Sequence, residues 1–150
     1  MKGKRKAFDR SLHDNHDGLA RAQAKRLFSL WGFDAKDNPD QYGIDLILSK
    51  NSLPVFLAEV EVKNNWDRPS FPFSTVQLPE RKFRYIEQYP GKVFFVIFSK
   101  DLTQAFVFSD GAVKDLTPVE VKNRFVANGE RFYQVPISRC KLVRFDGAKS

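Results

Sequence analysis

The alternation of apolar and polar residues between positions 42 and 63 predicts two strands joined by a short turn. Successive side chains of a strand point to opposite faces, so the first segment has two faces: Ile44, Leu46 and Leu48 on one, and Gly43, Asp45 and Ile47 on the other. Residues 49–54 are mostly polar and end in proline, which is typical of a turn. In the second segment Val60 and Val62 share one face, and the opposite face carries three charged residues: Glu59, Glu61 and Lys63.

The charged face of the second segment is expected to lie at the edge of a cleft. It begins with Val55 and Leu57, so it is apolar first and ionic only towards its end. A buried carboxylate without a partner is costly, so Asp45 should have a cation, a partner or a solvent channel. A turn centred near residues 51 and 52 places Asp45 opposite residue 58 or 59 and puts Glu61 diagonally about 7–8 Å away. Two carboxylates at that separation can hold a metal ion between them.

The remaining hydrophobic pattern predicts an α/β fold, with a central mixed β-sheet flanked by helices. Residues 17–31 have the apolar spacing of an amphipathic helix, and Gly32 ends it. The continuous apolar run at 91–98 is typical of a strand buried on both faces. The other predicted elements are helices at 79–89 and 118–127 and strands at 104–108, 132–136 and 141–145.

Asp45 in one predicted strand and Glu61-Val62-Lys63 in the next resemble the signature of the PD-(D/E)xK nuclease superfamily. The resemblance covers roughly residues 17–110, and its catalytic part is confined to 42–63. The literal Pro-Asp pair of the family name occurs earlier, as Pro39-Asp40, where turn chemistry alone explains an aspartate. Asp45 is therefore the preferred ligand. The resemblance implies a restriction-endonuclease-like core, of a branch similar to Holliday-junction resolvases or to replication and repair nucleases.

The resemblance also implies roles for individual residues. Asp45, Glu61 and the backbone carbonyl of Val62 would hold Mg²⁺ or Mn²⁺, and Glu59 is a further candidate ligand. Lys63 would orient the attacking water or stabilise the developing negative charge. The catalytic residues implied are thus Asp45, Glu61 and Lys63.

Two further positions are compared with the family pattern. Some relatives carry a glutamine on the helix after the Glu-x-Lys strand, close to the metal, and Gln77 is the loosely matching position. The alternative is an ordinary polar residue at a helix entrance. The family often has an additional acid on its first helix, where only Asp14 and Asp17 are available, both at the predicted start.

The charge of the chain favours a polyanionic partner. It has 25 Lys and Arg against 18 Asp and Glu, a net charge of +7 and a pI near 9.6. The candidate nucleic-acid contacts are the basic cluster on the second helix and two residues of the loop at 64–76: Arg81, Lys82, Arg84, Arg68 and Trp66. The alternative for the aromatic residues of that loop is that they fold back as a cover.

Length and composition predict one domain at residues 17–150, preceded by a basic flexible arm at 1–16. No apolar stretch is long enough to cross a bilayer, and the basic start is not followed by a signal-type segment. We therefore expect a cytoplasmic protein, nucleoid-associated or in a host cytoplasm, without a membrane partner. The single Cys140 excludes an intramolecular disulfide and is expected to serve packing.

Together these observations predict a metal-dependent deoxyribonuclease, an endonuclease that is structure-selective or resolvase-like. Its DNA substrate is duplex, branched or single-stranded, and a homodimer is expected if both strands are cut. RNA and exonucleolytic cleavage stay open as alternatives. A different class also stays open, namely a non-catalytic nucleic-acid-binding module of the same fold, in which the acids form salt bridges or bind a structural ion.

Overall fold

A computed structural model describes residues 10–40, 42–121 and 129–145, with side chains from residue 17 onward. One long helix, α1, spans Arg10–Leu30 and one short helix, α2, spans Phe83–Gln88. The strands are β1 (Asp34–Asp37), β2 (Leu46–Lys50), β3 (Leu53–Val62), β4 (Thr75–Pro79), β5 (Val93–Phe98), β6 (Gln104–Ser109), β7 (Val119–Glu120), β8 (Arg131–Pro136) and β9 (Lys141–Arg144). Single 3₁₀ turns follow β4, β6 and β8 at Glu80–Lys82, Asp110–Ala112 and Ile137–Arg139.

The described strands form two sheets. The larger has six strands in the order β1-β2-β3-β5-β6-β9, and the smaller has three in the order β4-β8-β7. In the larger sheet β3 and β5 run parallel while the other pairs are antiparallel, so the sheet is mixed. The α/β class and the central mixed sheet predicted from the hydrophobic pattern are confirmed.

The larger sheet has an apolar core on each face, which explains why its central strands are almost wholly apolar. On one face α1 packs through Ala24, Leu27 and Phe28 against residues of β2, β3 and β5. On the other face Phe95 and Ile97 of β5 pack with residues of β4, β8 and α2. Leu57 of β3 packs against this second core, so the charged face of β3 lies on the side of the smaller sheet.

Several boundaries differ from the predicted ones. Helix α1 begins at Arg10, so it includes part of the predicted arm, whose residues 1–9 lie outside the described range. The short strand β1 was not predicted, and β4 runs from the predicted loop at 64–76 to the predicted start of the second helix at residue 79. The helix predicted at 118–127 is wrong at its start, because Val119 and Glu120 pair with β8 as a strand. Residues 122–128 lie outside the described range.

Candidate functional site

The turn between β2 and β3 decides which residue of β3 faces Asp45. Asn51 and Ser52 form the turn with φ angles of 52° and 68°, the left-handed conformation of tight hairpins. A bulge between Leu48 and Ser49 then shifts the pairing by one residue, so that Leu46 pairs with Ala58. Continuing this register places Asp45 opposite residue 59 rather than 58.

Asp45 lies just before β2, between two residues that pack in different cores. Ile44 packs in the core on the side of the smaller sheet, whereas Leu46 packs in the core with α1. The prediction that Ile44 shares a face with Leu46 is wrong, because the regular strand starts only at Leu46. The loop is held by Asn38, whose side-chain amide donates to the Ile44 carbonyl at 2.8 Å and whose backbone N–H donates to the Asp45 carbonyl at 2.9 Å.

Asp45 and Glu59 are fixed side by side by two hydrogen bonds. The Asp45 backbone N–H donates to Glu59 Oε1 at 3.2 Å, and the Val60 backbone N–H donates to Asp45 Oδ2 at 2.8 Å. The Asp45 carboxylate therefore acts as an acceptor for the backbone of β3 immediately before the first residue of β2. Two acids, one from each strand of the hairpin, are held beside each other.

A lysine from a distant part of the chain joins this acid pair. Lys82, at the end of the turn after β4, donates from Nζ to Glu59 Oε2. Both side chains are largely withdrawn from solvent, with 19% of Lys82 and 7% of Glu59 exposed. A buried ion pair of this kind is destabilised when one partner is removed, because the other charge is left without compensation.

Burial is the largest influence on the pKa of both Asp45 and Glu59. The pKa of Glu59 is raised to about 7, chiefly by burial and also by the charge of Asp45, against the opposing charge of Lys82. Burial likewise raises the pKa of Asp45, while the hydrogen bond from Val60 and the charge of Lys82 lower it. Asp17 on α1 also raises the pKa of Asp45 through its negative charge. The site therefore disfavours further negative charge unless a cation enters.

Glu61 and Lys63 form a second ion pair further along the same face of β3. Lys63 Nζ donates to Glu61 Oε2 at 2.9 Å, and both side chains are mostly buried. The other carboxylate oxygen, Glu61 Oε1, is buried and accepts no hydrogen bond from the described residues. A buried carboxylate oxygen without a donor is rare in folded proteins and can serve as a ligand for a cation.

The candidate ligands have the chemistry that a divalent metal requires, but their side chains do not converge on one point. All the candidate ligands are oxygen donors, which Mg²⁺ and Mn²⁺ prefer. Within residues 10–40, 42–121 and 129–145, no group of three or more His, Cys, Asp or Glu side chains lies close enough to hold a metal. The hydrogen bonds join Asp45 to Glu59, the further candidate, rather than to Glu61. Val62, whose backbone carbonyl is a candidate ligand, is the last residue of β3 and stands between Glu61 and Lys63 in the sequence.

Gln77 lies on a strand and not at the start of a helix. Gln77 is in the middle of β4, paired with Gln134, on the strand face opposite the buried Val76 and Leu78. The expectation that Gln77 stands at a helix entrance is therefore wrong, since the turn before α2 starts only at Glu80.

Trp66 belongs to the core rather than to a nucleic-acid-binding surface. It is 1% exposed, stacks on Phe106 at 4.9 Å between ring centroids, and meets Phe71 edge to face at 5.1 Å. The prediction that Trp66 contacts nucleic acid is wrong, because a nucleic acid cannot reach a ring that is this deeply buried. The alternative, aromatic residues folded back as a cover, holds for Trp66 and Phe71.

The basic residues predicted to contact nucleic acid have partners within the chain. Arg81 pairs with Glu130 at 2.9 Å, and Arg84 donates to the Tyr85 hydroxyl at 2.8 Å. Arg68 lies 3.5 Å from the Asp67 carboxylate. Arg68 and Arg81 keep 60% and 67% of their side chains exposed, so both remain accessible to a phosphate.

The sequence pattern does not indicate that Lys82 and Asp17 act on the acid cluster, which consists of Asp45 and Glu59. Lys82 was grouped with its basic neighbours, and only the tertiary contact with Glu59 distinguishes it. The sequence predicts Asp17 at the start of a helix, but Asp17 lies well inside α1 and forms an ion pair with Arg21.

No family model matches the chain, and no curated protein matches it. Among solved structures, the fold is similar to that of a nuclease from a fusselovirus, with 15% sequence identity and a TM-score of 0.49. The match covers 92% of this chain and 90% of the viral nuclease. Within the described residues, no helix is long and apolar enough to span a membrane.

Proposed function

We propose that this protein is a metal-dependent nuclease of the PD-(D/E)xK type that hydrolyses phosphodiester bonds in DNA. The observation that carries the proposal is the buried Glu61 carboxylate, which has one oxygen bonded to Lys63 and the other without a donor. This pair lies on the same face of β3 as Glu59, which is hydrogen-bonded to Asp45. A salt bridge alone requires neither the unpartnered oxygen nor the neighbouring acids.

In this proposal Asp45, Glu59, Glu61 and the carbonyl of Val62 hold Mg²⁺ or Mn²⁺. When bound, the metal activates a water molecule and neutralises charge on the phosphodiester. Lys63 is already oriented by Glu61, so its ammonium is fixed beside the proposed metal position. That ammonium orients the attacking water or stabilises the negative charge that develops on the phosphate.

The net positive charge of the chain supports a nucleic-acid substrate, and the number of proposed sites bears on how a duplex is cut. A net charge of +7 attracts a polyanion, and the exposed Arg68 and Arg81 provide phosphate contacts. One chain carries one proposed site, so cutting both strands of a duplex requires a homodimer or two binding events. We propose endonucleolytic action on DNA of defined structure, as by a resolvase or a repair nuclease.

A second candidate is a non-catalytic nucleic-acid-binding module of the same fold. It is favoured by one observation: Glu59 and Glu61 are each paired with a lysine, Lys82 and Lys63 respectively. Such pairs stabilise the acids without a metal. In this case the protein binds nucleic acid and leaves it intact.

A cleavage panel separates the two candidates. Labelled duplex, single-stranded, flap and four-way-junction DNA, with one matched RNA, are incubated with Mg²⁺, with Mn²⁺ or with chelator. The nuclease cuts at least one substrate only when metal is present, and Glu61→Gln abolishes cutting while DNA binding is kept or becomes tighter. Glu87→Gln, which removes an exposed acid outside the cluster, is the matched control and should cut at the wild-type rate. Retardation of DNA without cleavage in either metal would support the binding module.

A further inference from the structure

Lys82 connects two parts of the molecule that are far apart in the sequence. It lies at the end of the 3₁₀ turn after β4, and its ammonium reaches Glu59 on β3 of the larger sheet. The adjacent Arg81 points instead to Glu130 at the surface and keeps most of its side chain exposed. Within one turn, therefore, one basic side chain is directed into the acid cluster and its neighbour is directed to solvent.

The ammonium of Lys82 acts on both acids of the pair. Its charge lowers the pKa of Asp45 as well as that of Glu59, opposing the effect of burial on each. Lys82 thus supplies positive charge at the position where two buried carboxylates would otherwise repel each other. A divalent metal bound by the same two acids would supply the same compensation with twice the charge.

We propose that Lys82 is a built-in competitor of the divalent metal, whose ammonium leaves Glu59 when the metal binds to Asp45 and Glu59. This inference rests on the proposed function, because it assumes that these two acids are metal ligands. Glu59 Oε1 already accepts from the Asp45 N–H and Oε2 accepts from Lys82, so a metal on Oε2 shares that oxygen with the ammonium. An ammonium and a dication on the same oxygen repel each other strongly, and this repulsion favours departure of the ammonium.

The structure allows the ammonium to leave without unfolding of the core. The backbone of the turn is anchored on both sides by Pro79, which is buried at the end of β4, and by Phe83, which packs at the edge of the core and against Tyr133. The lysine stem has four rotatable bonds, so its head can move towards solvent while the turn stays in place. Lys82 is therefore a positioning residue that sets how tightly the metal binds.

Metal binding tests this inference directly. Calorimetric titration of Mn²⁺ without nucleic acid is carried out on the wild type, Lys82→Met, Lys82→Arg and Arg81→Met, with Asp45→Asn to show that the heat comes from this site. Lys82→Met should bind Mn²⁺ about tenfold more tightly, because one competing unit charge is removed. Arg81→Met removes a charge from the same turn and should stay within about twofold of the wild type. Lys82→Arg keeps the charge and should restore affinity close to that of the wild type.

A second measurement uses the wild-type protein, so it does not depend on the folding of a variant. Reductive methylation followed by peptide mass analysis gives the reactivity of each lysine amine with and without Mn²⁺. Lys82 should become more reactive when Mn²⁺ is added, whereas the exposed Lys36, whose side chain is 77% exposed, should not change. A purely structural ion pair would lower thermal stability when Lys82 is replaced and would move neither measurement.

The outcomes separate this inference from the proposed function. If the wild type binds Mn²⁺ through Asp45 and cuts DNA, but Lys82→Met binds no more tightly and Lys82 reactivity is unchanged, the inference is wrong and the nuclease stands. If neither the wild type nor Lys82→Met binds Mn²⁺ and no DNA is cut, both are wrong. Tighter binding by Lys82→Met together with increased Lys82 reactivity in Mn²⁺ supports the competition.

Discussion

Replacing Glu59 with glutamine should change the pH dependence of folding stability. The folded protein raises the pKa of Glu59 from 4.5 to about 7, chiefly through burial. A difference of about 2.5 in pKa, at ~1.4 kcal/mol for each unit, corresponds to roughly 3 kcal/mol of folding free energy. Glutamine has nearly the same shape and does not titrate, so Glu59→Gln removes this contribution.

The direction of the effect follows from proton linkage. An acid with a raised pKa in the folded state binds its proton more tightly there than in the unfolded chain. The resulting stability is fully present below about pH 4.5, decreases as pH rises, and is lost above about pH 7. The wild type should therefore lose stability relative to Glu59→Gln between these two values.

Urea unfolding at several pH values, without divalent metal, measures this effect. The quantity to compare is the difference in unfolding free energy between the wild type and Glu59→Gln, because the other carboxylates largely cancel. It should move by roughly 3 kcal/mol in favour of the variant as pH rises from about 4.5 to 8. The matched control is Glu80→Gln, since the bond from Arg131 lowers the pKa of Glu80. A difference that stays constant over this range would refute the assignment of a buried, proton-binding Glu59.

Three other substitutions test separate parts of the site and its surroundings. Lys63→Ala should keep the fold and Mn²⁺ binding but lose most single-turnover cleavage, and a variant that cuts at the wild-type rate would contradict the role of Lys63. Trp66→Ala should cost about 3–5 kcal/mol in urea unfolding, because it leaves a cavity beside Phe106, and a loss below about 1 kcal/mol would place the ring outside the core. Arg68→Ala should weaken DNA binding and reduce the slope of log affinity against log salt by about 1, whereas an unchanged slope would move the binding surface elsewhere.

Most strands of the larger sheet could be predicted because the burial of each strand is visible in the apolar residues of its own short segment. The run of β5 is apolar on both faces, which matches a strand with α1 on one side and the smaller sheet on the other. The smaller sheet was harder to predict, although Val76 and Leu78 alternate with polar residues as in a strand. Five residues of alternation within a loop containing several prolines are a weak signal, and the partner β8 lies more than fifty residues away.

In the hairpin of β2 and β3, the local sequence predicts part of the arrangement of the acids but not all of it. The turn near residues 51 and 52 was predictable, and it limited the partner of Asp45 to residue 58 or 59. The bulge at Leu48 and Ser49 decided between them, and no residue type in the hairpin signals that bulge. As a result Glu59, the further candidate, became the direct partner of Asp45, while Glu61 pairs with Lys63.

Lys82 could not be assigned to the site from local pattern, because its position depends on how the two sheets are joined. The face of β3 that carries Glu59 also carries Leu57, which packs against the core shared with the smaller sheet. The turn at the end of β4 is therefore on the same side as Glu59, and one of its basic residues can reach the carboxylate. Arg81 and Lys82 are equivalent in charge and adjacent in sequence, yet topology directs one to the surface and the other to the acids. The cluster is thus assembled by long-range packing, and substitutions that disturb the smaller sheet should loosen Lys82 from Glu59 before they affect the hairpin that holds Asp45.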